Sequence, residues 1–184
     1  HVGIAALIEE VGRHALPSPL VATLNASYVL GKAEAPGGST WLARVAEGAA
    51  ASLAFTDARG SWEPADTEIG AREAGDDLLL DGTAFFVQDA FKADFLVVAA
   101  RLGDEYVLLA VPTESPGISL GQDQIHDLTR DQATVHLREV RVPHANLLSR
   151  DAVGVLEAAW PSILVTVAAD LCGCAEWQLQ TTVE

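Results

Sequence analysis

Ala54-Phe55-Thr56-Asp57, then Gly60-Ser61, then Gly82-Thr83-Ala84-Phe85-Phe86-Val87-Gln88-Asp89-Ala90 and Asp94-Phe95-Leu96-Val97-Val98-Ala99-Ala100 form the stretch that decides the fold. A first strand ends in Thr beside an acid and runs into a Gly-Ser turn. An aromatic-rich strand follows and ends at polar side chains. The third strand is apolar at every position from Phe95 to Ala100, which predicts cover on both faces.

Working outward, the period of a strand governs the middle of the chain from Ala51. The candidate strands are 52–56, 78–80, 84–87, 95–100, 106–111 and 134–142, separated by turn signals at Gly75-Asp76, Asp81-Gly82, Gly103-Asp104 and Ser115-Pro116-Gly117. Residues 101–105 read as a hairpin joining two nearly all-apolar strands. Many short strands with such turns predict a sandwich or small barrel whose strand set ends at Pro143.

Both flanks carry the helical period. Ile4, Leu7, Ile8 and Val11 recur at helical spacing before Pro17-Ser18-Pro19 breaks the chain, and Leu20, Leu24, Tyr28 and Val29 continue as a second helix. Gly37-Gly38 with Ser39 or Thr40 predicts a loop and N-cap ahead of a short helix from Trp41. Beyond Asp151, Leu156, Trp160, Ile163, Val167, Leu171 and Cys174 mark a last helix, with Pro161 either starting or kinking it. The expected class is therefore α+β: a helical segment over 1–50, a β-sandwich or barrel over 51–143, and the opening of a helical bundle over 144–184. The missing leading Met and the uncapped last helix read as the cut ends of a longer chain.

At 184 residues, 49% hydrophobic and 20% charged, the chain has the composition of a globular protein. A formal charge of −15 argues against nucleic acid, whose phosphates require Lys and Arg. The run from Ile163 to Ala169, closed by Asp170, falls short of the roughly 18–20 apolar residues a membrane span needs, so no membrane partner is expected. Cys172 and Cys174 point to nearly opposite sides of a helix and read as buried thiols in a reducing cytoplasm. His14, His126, His136 and His144 show no metal-ligand spacing, and no P-loop or Rossmann glycine pattern occurs.

The order Thr56-Asp57, Gly60-Ser61, Phe86-x-Gln88, followed by Thr134-Val135-His136-Leu137-Arg138-Glu139-Val140-Arg141-Val142-Pro143 and Asn146-Leu147-Leu148, resembles the middle β-domain of the acyl-CoA dehydrogenases and its exit segment. The resemblance implies an α–β–α order, an acyl-CoA thioester substrate, FAD held without a Rossmann fold, and assembly into dimers or tetramers. It also implies that Thr56 and Ser61 bind flavin ring and pyrophosphate, that Phe86 packs along the ring, and that Gln88 stands where the family has a Thr hydrogen-bonded to the ring edge. Turn amides suit a diphosphate because they supply several donors without side-chain entropy. Two departures are plain: Thr56-Asp57-Ala58-Arg59 lacks the family's Pro, with Arg59 a candidate phosphate partner, and Gln88 is longer than Thr. The plainer reading of the same residues is an ordinary hairpin turn, a core Phe and a strand-capping Gln.

Dehydrogenation also requires a carboxylate to take the α-proton. In most of the family that Glu lies beyond residue 184; a minority place it where this chain has Ile163, followed by Leu164. Glu157 and Asp170 miss that position, so no catalytic residue is assigned. Three readings stand: an FAD-dependent acyl-CoA dehydrogenase chain; a non-catalytic partner subunit of a heteromeric enzyme, similar to bacterial steroid side-chain-degrading types, with Gln88 or Trp62 filling the flavin cleft; and an unrelated β-sandwich binding module.

Overall fold

The computed structural model describes residues 2–33, 36–127 and 129–183. Three helices come first: α1 (Val2–Arg13), α2 (Leu20–Leu30) and α3 (Gly37–Ala46). Eight strands follow: β1 (Ala51–Ala54), β2 (Gly70–Ala74), β3 (Asp77–Gln88), β4 (Phe95–Leu102), β5 (Glu105–Pro112), β6 (Ile118–Gln122), β7 (Gln132–Pro143) and β8 (Leu147–Ser149). The last helix, α4, spans Ala152–Val183.

The strands make one sheet in the order β6-β7-β3-β2-β4-β5-β8, with β1 parallel to β4. Phe95 to Ala100 in β4 and Val107 to Val111 in β5 are fully buried, as their unbroken apolar runs predict. Alternation along the pair explains how. Leu96, Val98, Ala100, Val107, Leu109 and Val111 share a core with Leu80 of β3 and Val135 of β7. Phe95, Val97, Ala99, Leu108 and Ala110 point the other way, into a second core made by α2, α3 and α4. The β4–β5 pair is thus a wall with strands on one side and helices on the other. Its hairpin closes at Gly103-Asp104, with Leu102 opposite Glu105 and Gly103 at φ +61°.

Several expectations are corrected. Asp81-Gly82 is a turn dipeptide by composition, yet β3 runs straight through it. The Asp81 carboxylate accepts the Glu139 N–H at 2.8 Å across a bulge in β7. Gly82, at φ +140°, lies where a Cβ would sit 2.2 Å from the Glu68 carbonyl oxygen. Strands β2 and β6 lie outside every predicted strand, and β8 extends the sheet past Pro143. Ser39 and Thr40 do not cap α3: they sit inside its first turn, and their hydroxyls donate back to the Pro36 carbonyl. Pro161 does not start α4 but lies inside it; the helix begins at Ala152, where Asp151 Oδ1 accepts the Gly154 N–H at 2.9 Å. Cys172 is exposed rather than buried, and Cys174 is half-buried with its thiol 3.2 Å from the Gly12 carbonyl.

The composition reading also missed that α4 is long and apolar enough to cross a membrane, because Glu157 is the single charge between Ala152 and Ala169. In this fold its buried side packs on α1, α2 and β5. The crossing with α1 is very close. A Cβ on Gly173 would lie 1.8 Å from the Glu9 carbonyl oxygen, and one on Gly12 would lie 2.1 Å from that of Asp170. Gly173→Ala is therefore expected to lower stability by ~1–3 kcal/mol through overpacking, despite the better helix propensity of Ala. Urea unfolding of the two proteins measures it, and an unchanged midpoint would contradict the close crossing.

Candidate functional site

Past β1 the chain continues through Phe55 and Thr56 alongside the end of β3. Phe85 N–H donates to the Thr56 carbonyl at 2.9 Å, and Ser52 Oγ donates to the Gln88 carbonyl at 2.5 Å. These bonds set Thr56 next to residues 85–88. The pairing of β3 with β7 slips between Ala84 and Val87, and within that bulge Phe86 takes φ +56°. Left-handed backbone at a bulky residue costs ~1–3 kcal/mol and persists only where surrounding structure imposes it. Its effect here is to turn the Phe86 ring outward, 44% exposed.

Helix α2 forms the opposite wall. Thr23 Oγ1 fastens it to β1, accepting the Ala51 N–H at 3.1 Å and facing the Ala51 carbonyl at 3.4 Å. Trp62 stands edge-on to Phe55, ring centres 5.7 Å apart, and 5.4 Å from Trp160 of α4. Between these elements lies a cleft lined by Asn25, Phe55, Thr56, Trp62, Phe86 and Gln88 among others, with an enclosed volume of about 20 Å³. That is room for one water.

Three of the four expected residues, Thr56, Phe86 and Gln88, line this cleft. Neither the Thr56 hydroxyl nor the Gln88 carboxamide has a hydrogen-bond partner among the described residues. Asn25 joins them and was not anticipated. It is 3% exposed, and its Oδ1 is buried without a partner. The available signal was one carboxamide among the apolar positions Val21, Ala22, Ala26 and Val29 of α2.

Ser61 sits apart, on a turn organised by Asp57. Asp57 Oδ1 accepts the N–H groups of Arg59 at 2.9 Å and Ser61 at 2.8 Å, and Oδ2 accepts Arg59 Nε at 2.7 Å. Gly60 N–H goes to the Asp57 carbonyl and Ala58 N–H to Glu68 Oε1, both at 3.0 Å. The amides that the sequence offers to a diphosphate are thus all held by protein oxygens. Ser61 Oγ itself donates to Asp66 Oδ2 at 2.7 Å. Arg59 is spread between Asp57 and Asp66 with its side chain 76% exposed. The Ser61 N–H, followed by the Arg59 side chain, holds the Asp57 carboxyl below its ordinary range.

No carboxylate lines the cleft among the described residues. Ile163 is buried, Leu164 is exposed, and Glu157 projects to solvent. Asp170 is taken by Arg130 Nη2, at 2.9 and 3.0 Å to its two oxygens. It borders a second, larger cavity of about 80 Å³ that shares Gln88 with the first and also touches Asp89 and Val21.

No protein-family model matches the chain. It is 28% identical over 168 residues to the probable acyl-CoA dehydrogenase YngJ of Bacillus subtilis, covering 83% of this chain and 44% of that protein. The chain thus spans less than half the length of this relative. Among solved structures, a glutaryl-CoA dehydrogenase from Mycobacterium smegmatis in complex with FADH2 superposes with a TM-score of 0.76 at 21% identity. It covers 92% of this chain and 44% of that one. The Tcur3481-Tcur3483 steroid ACAD superposes with a TM-score of 0.79 at 26% identity, covering 97% and 48%.

Because the folded carboxyl of Asp57 titrates below its unfolded value, the stabilisation it provides is complete above the unfolded pKa and disappears as pH falls through the folded one. Asp57→Asn should therefore be less stable than wild type at pH 7, with the gap closing towards pH 3. Parallel urea titrations across that range check the sign, and a gap that stays constant in acid would exclude the carboxylate as the cause.

Proposed function

We propose, from the likeness of the chain to acyl-CoA dehydrogenases, that the protein containing it is an FAD-dependent member of that family introducing an α,β double bond into an acyl-CoA thioester. The observation that carries this reading is the convergence of Thr56, Phe86 and Gln88 on one cleft, with the hydroxyl and the carboxamide free of protein partners among the described residues. Phe86 offers an exposed aromatic face for a ring to stack on. Thr56 and Gln88 offer donors to the ring's polar edge, and Ser61 and Arg59 lie on the adjoining turn for the rest of the cofactor. FAD, when bound, supplies a hydride acceptor. The α-proton then goes to a group outside the residues that line this cleft.

A second reading has its own support. Asp57 already holds the turn amides, Trp62 is fixed between Phe55 and Trp160 at the cleft, and Ile163-Leu164 carry no acid. These features favour a partner subunit that has lost flavin chemistry and assembles with another acyl-CoA dehydrogenase subunit. This reading takes the assembly as a cytoplasmic heterotetramer acting on steroid acyl-CoA thioesters, and the likeness to a steroid ACAD supports its steroid part.

A visible absorption spectrum of the full-length parent protein, purified alone and then with candidate partner subunits, separates the two. Flavin bands in the protein alone are expected for the first reading, and bands only in the complex support the second. Where flavin binds, Thr56→Val should weaken FAD about fivefold to tenfold, the worth of one hydrogen bond at ~1 kcal/mol. Unchanged affinity would remove Thr56 from the site.

A further inference from the structure

We propose that the Arg130–Asp170 ion pair is the floor of an acyl-chain slot and restricts the enzyme to short acyl groups. The inference rests on the acyl-CoA dehydrogenase reading above and names the substrate class within it. Dehydrogenation sets the α and β carbons beside the hydride acceptor, so the rest of the acyl chain has to enter space that adjoins the cleft. The second cavity adjoins it through Gln88. Val21 of α2 and Val167 of α4 give that cavity apolar walls. Its volume of about 80 Å³ takes roughly three groups of methylene size, at the ~30 Å³ that a water occupies in the liquid. Beyond it lies a third cavity, of about 530 Å³, bordered by Gly12 and His14 at the end of α1 and by Cys174 and Trp177 on α4. Arg130 and Asp170 line both cavities, so this one pair is the partition between them.

The partition is held from both sides. Arg130 Nη2 donates to the two oxygens of Asp170 at 2.9 and 3.0 Å, and each side chain is 21% exposed. The segment carrying Arg130 is tied down at the next residue: the Asp131 carbonyl accepts the Asp89 N–H at 2.9 Å, and its carboxylate pairs with Lys92 at 2.9 Å. Asp170 stands where α4 crosses α1 most closely, opposite Gly12. A hydrocarbon chain pressed against this pair offers neither charge a hydrogen bond, and parting the two would leave both uncompensated. For stability alone an apolar pair of similar bulk would serve as well. Arg130 Nη1 is even buried without a partner among the described residues. What the ion pair adds is a wall that apolar side chains, free to rotate aside, would not make. Selection then works by exclusion of the long chain rather than by contacts to the short one.

The test uses the full-length parent protein and two 2-enoyl thioesters, butenoyl-CoA and dodecenoyl-CoA, which are already desaturated at the reacting carbons. Calorimetric titration therefore reads their binding without turnover. Wild type should bind butenoyl-CoA roughly tenfold or more tightly than dodecenoyl-CoA. The double variant Arg130→Ala/Asp170→Ala leaves no unpaired charge behind and joins the slot to the outer cavity. Its affinity for dodecenoyl-CoA should rise roughly tenfold, the gain from burying about two further methylenes, while that for butenoyl-CoA changes less than about threefold. Should this variant fail to fold, Arg130→Met/Asp170→Asn, which keeps the bulk but not the ion pair, is titrated in its place, with a rise of about threefold expected. A variant whose preference between the two thioesters matches wild type overturns the proposal. If wild type binds neither thioester, the functional reading falls and this inference with it; if wild type binds both alike, this inference alone falls.

Discussion

The double burial of β4 is the constraint on which the other elements depend. A strand apolar at every position has no face to offer water, so something must cover each side. On one side β3 and β7 do so, and the sheet must fold back to bring them there. On the other, α2, α3 and α4 do so, and helices from both ends of the chain are drawn to the same pair of strands. The cleft lies where these two kinds of cover meet: β1 and β3 come from the sheet and Asn25 from α2, while Trp160 of α4 backs the lining Trp62. Its position follows from the burial of β4 rather than from any residue within it.

Departures from low-energy structure gather around that junction. Phe86 and Asp89 both hold left-handed backbone at the end of β3, and Asn25 carries a buried oxygen without a partner. Asp89 is buried, and burial raises its carboxyl even against the pull of Lys92 2.8 Å away. Each feature costs stability, and the surrounding packing is dense enough to hold them in place. The turn at Asp57 is the contrary case: every backbone donor from Ala58 to Ser61 is satisfied within the protein. The cleft therefore has a reactive side, rich in unpaired groups, and a settled side. That asymmetry underlies both functional readings.

Much of the frame was legible in the sequence because it rests on local signals. Gly103-Asp104 closes a hairpin because both flanking runs are apolar and the dipeptide tolerates the turn. Phe86 and Gln88 meet one cleft, as a spacing of two along a strand predicts, even though a bulge intervenes. What escaped depends on distant partners. Asp81-Gly82 is a turn by composition and a bulge by context, since Glu139 and Glu68 decide its geometry. Strand β2, Gly-Ala-Arg-Glu-Ala, has almost no strand propensity and is made by its pairing with β3 and the end of β4. Asn25 looked like one polar residue in a helix, and only the absence of a partner in three dimensions gives it meaning. Asp57 could be read as an acid beside Thr56, but not as the acceptor for the Arg59, Gly60 and Ser61 amides.

The placement of Trp62 between Phe55 and Trp160 has an optical consequence. Two indoles with ring centres 5.4 Å apart couple their electronic transitions, and one of them lines the cleft. Trp41, by contrast, is buried against Phe95 and Arg44 on the far side of the helical core. The junction of sheet and helices thus carries its own chromophore pair, whose near-ultraviolet dichroism reports the angle between them. Any shift of α4 against the sheet, or any guest that displaces Trp62, is written into that signal without a label being attached.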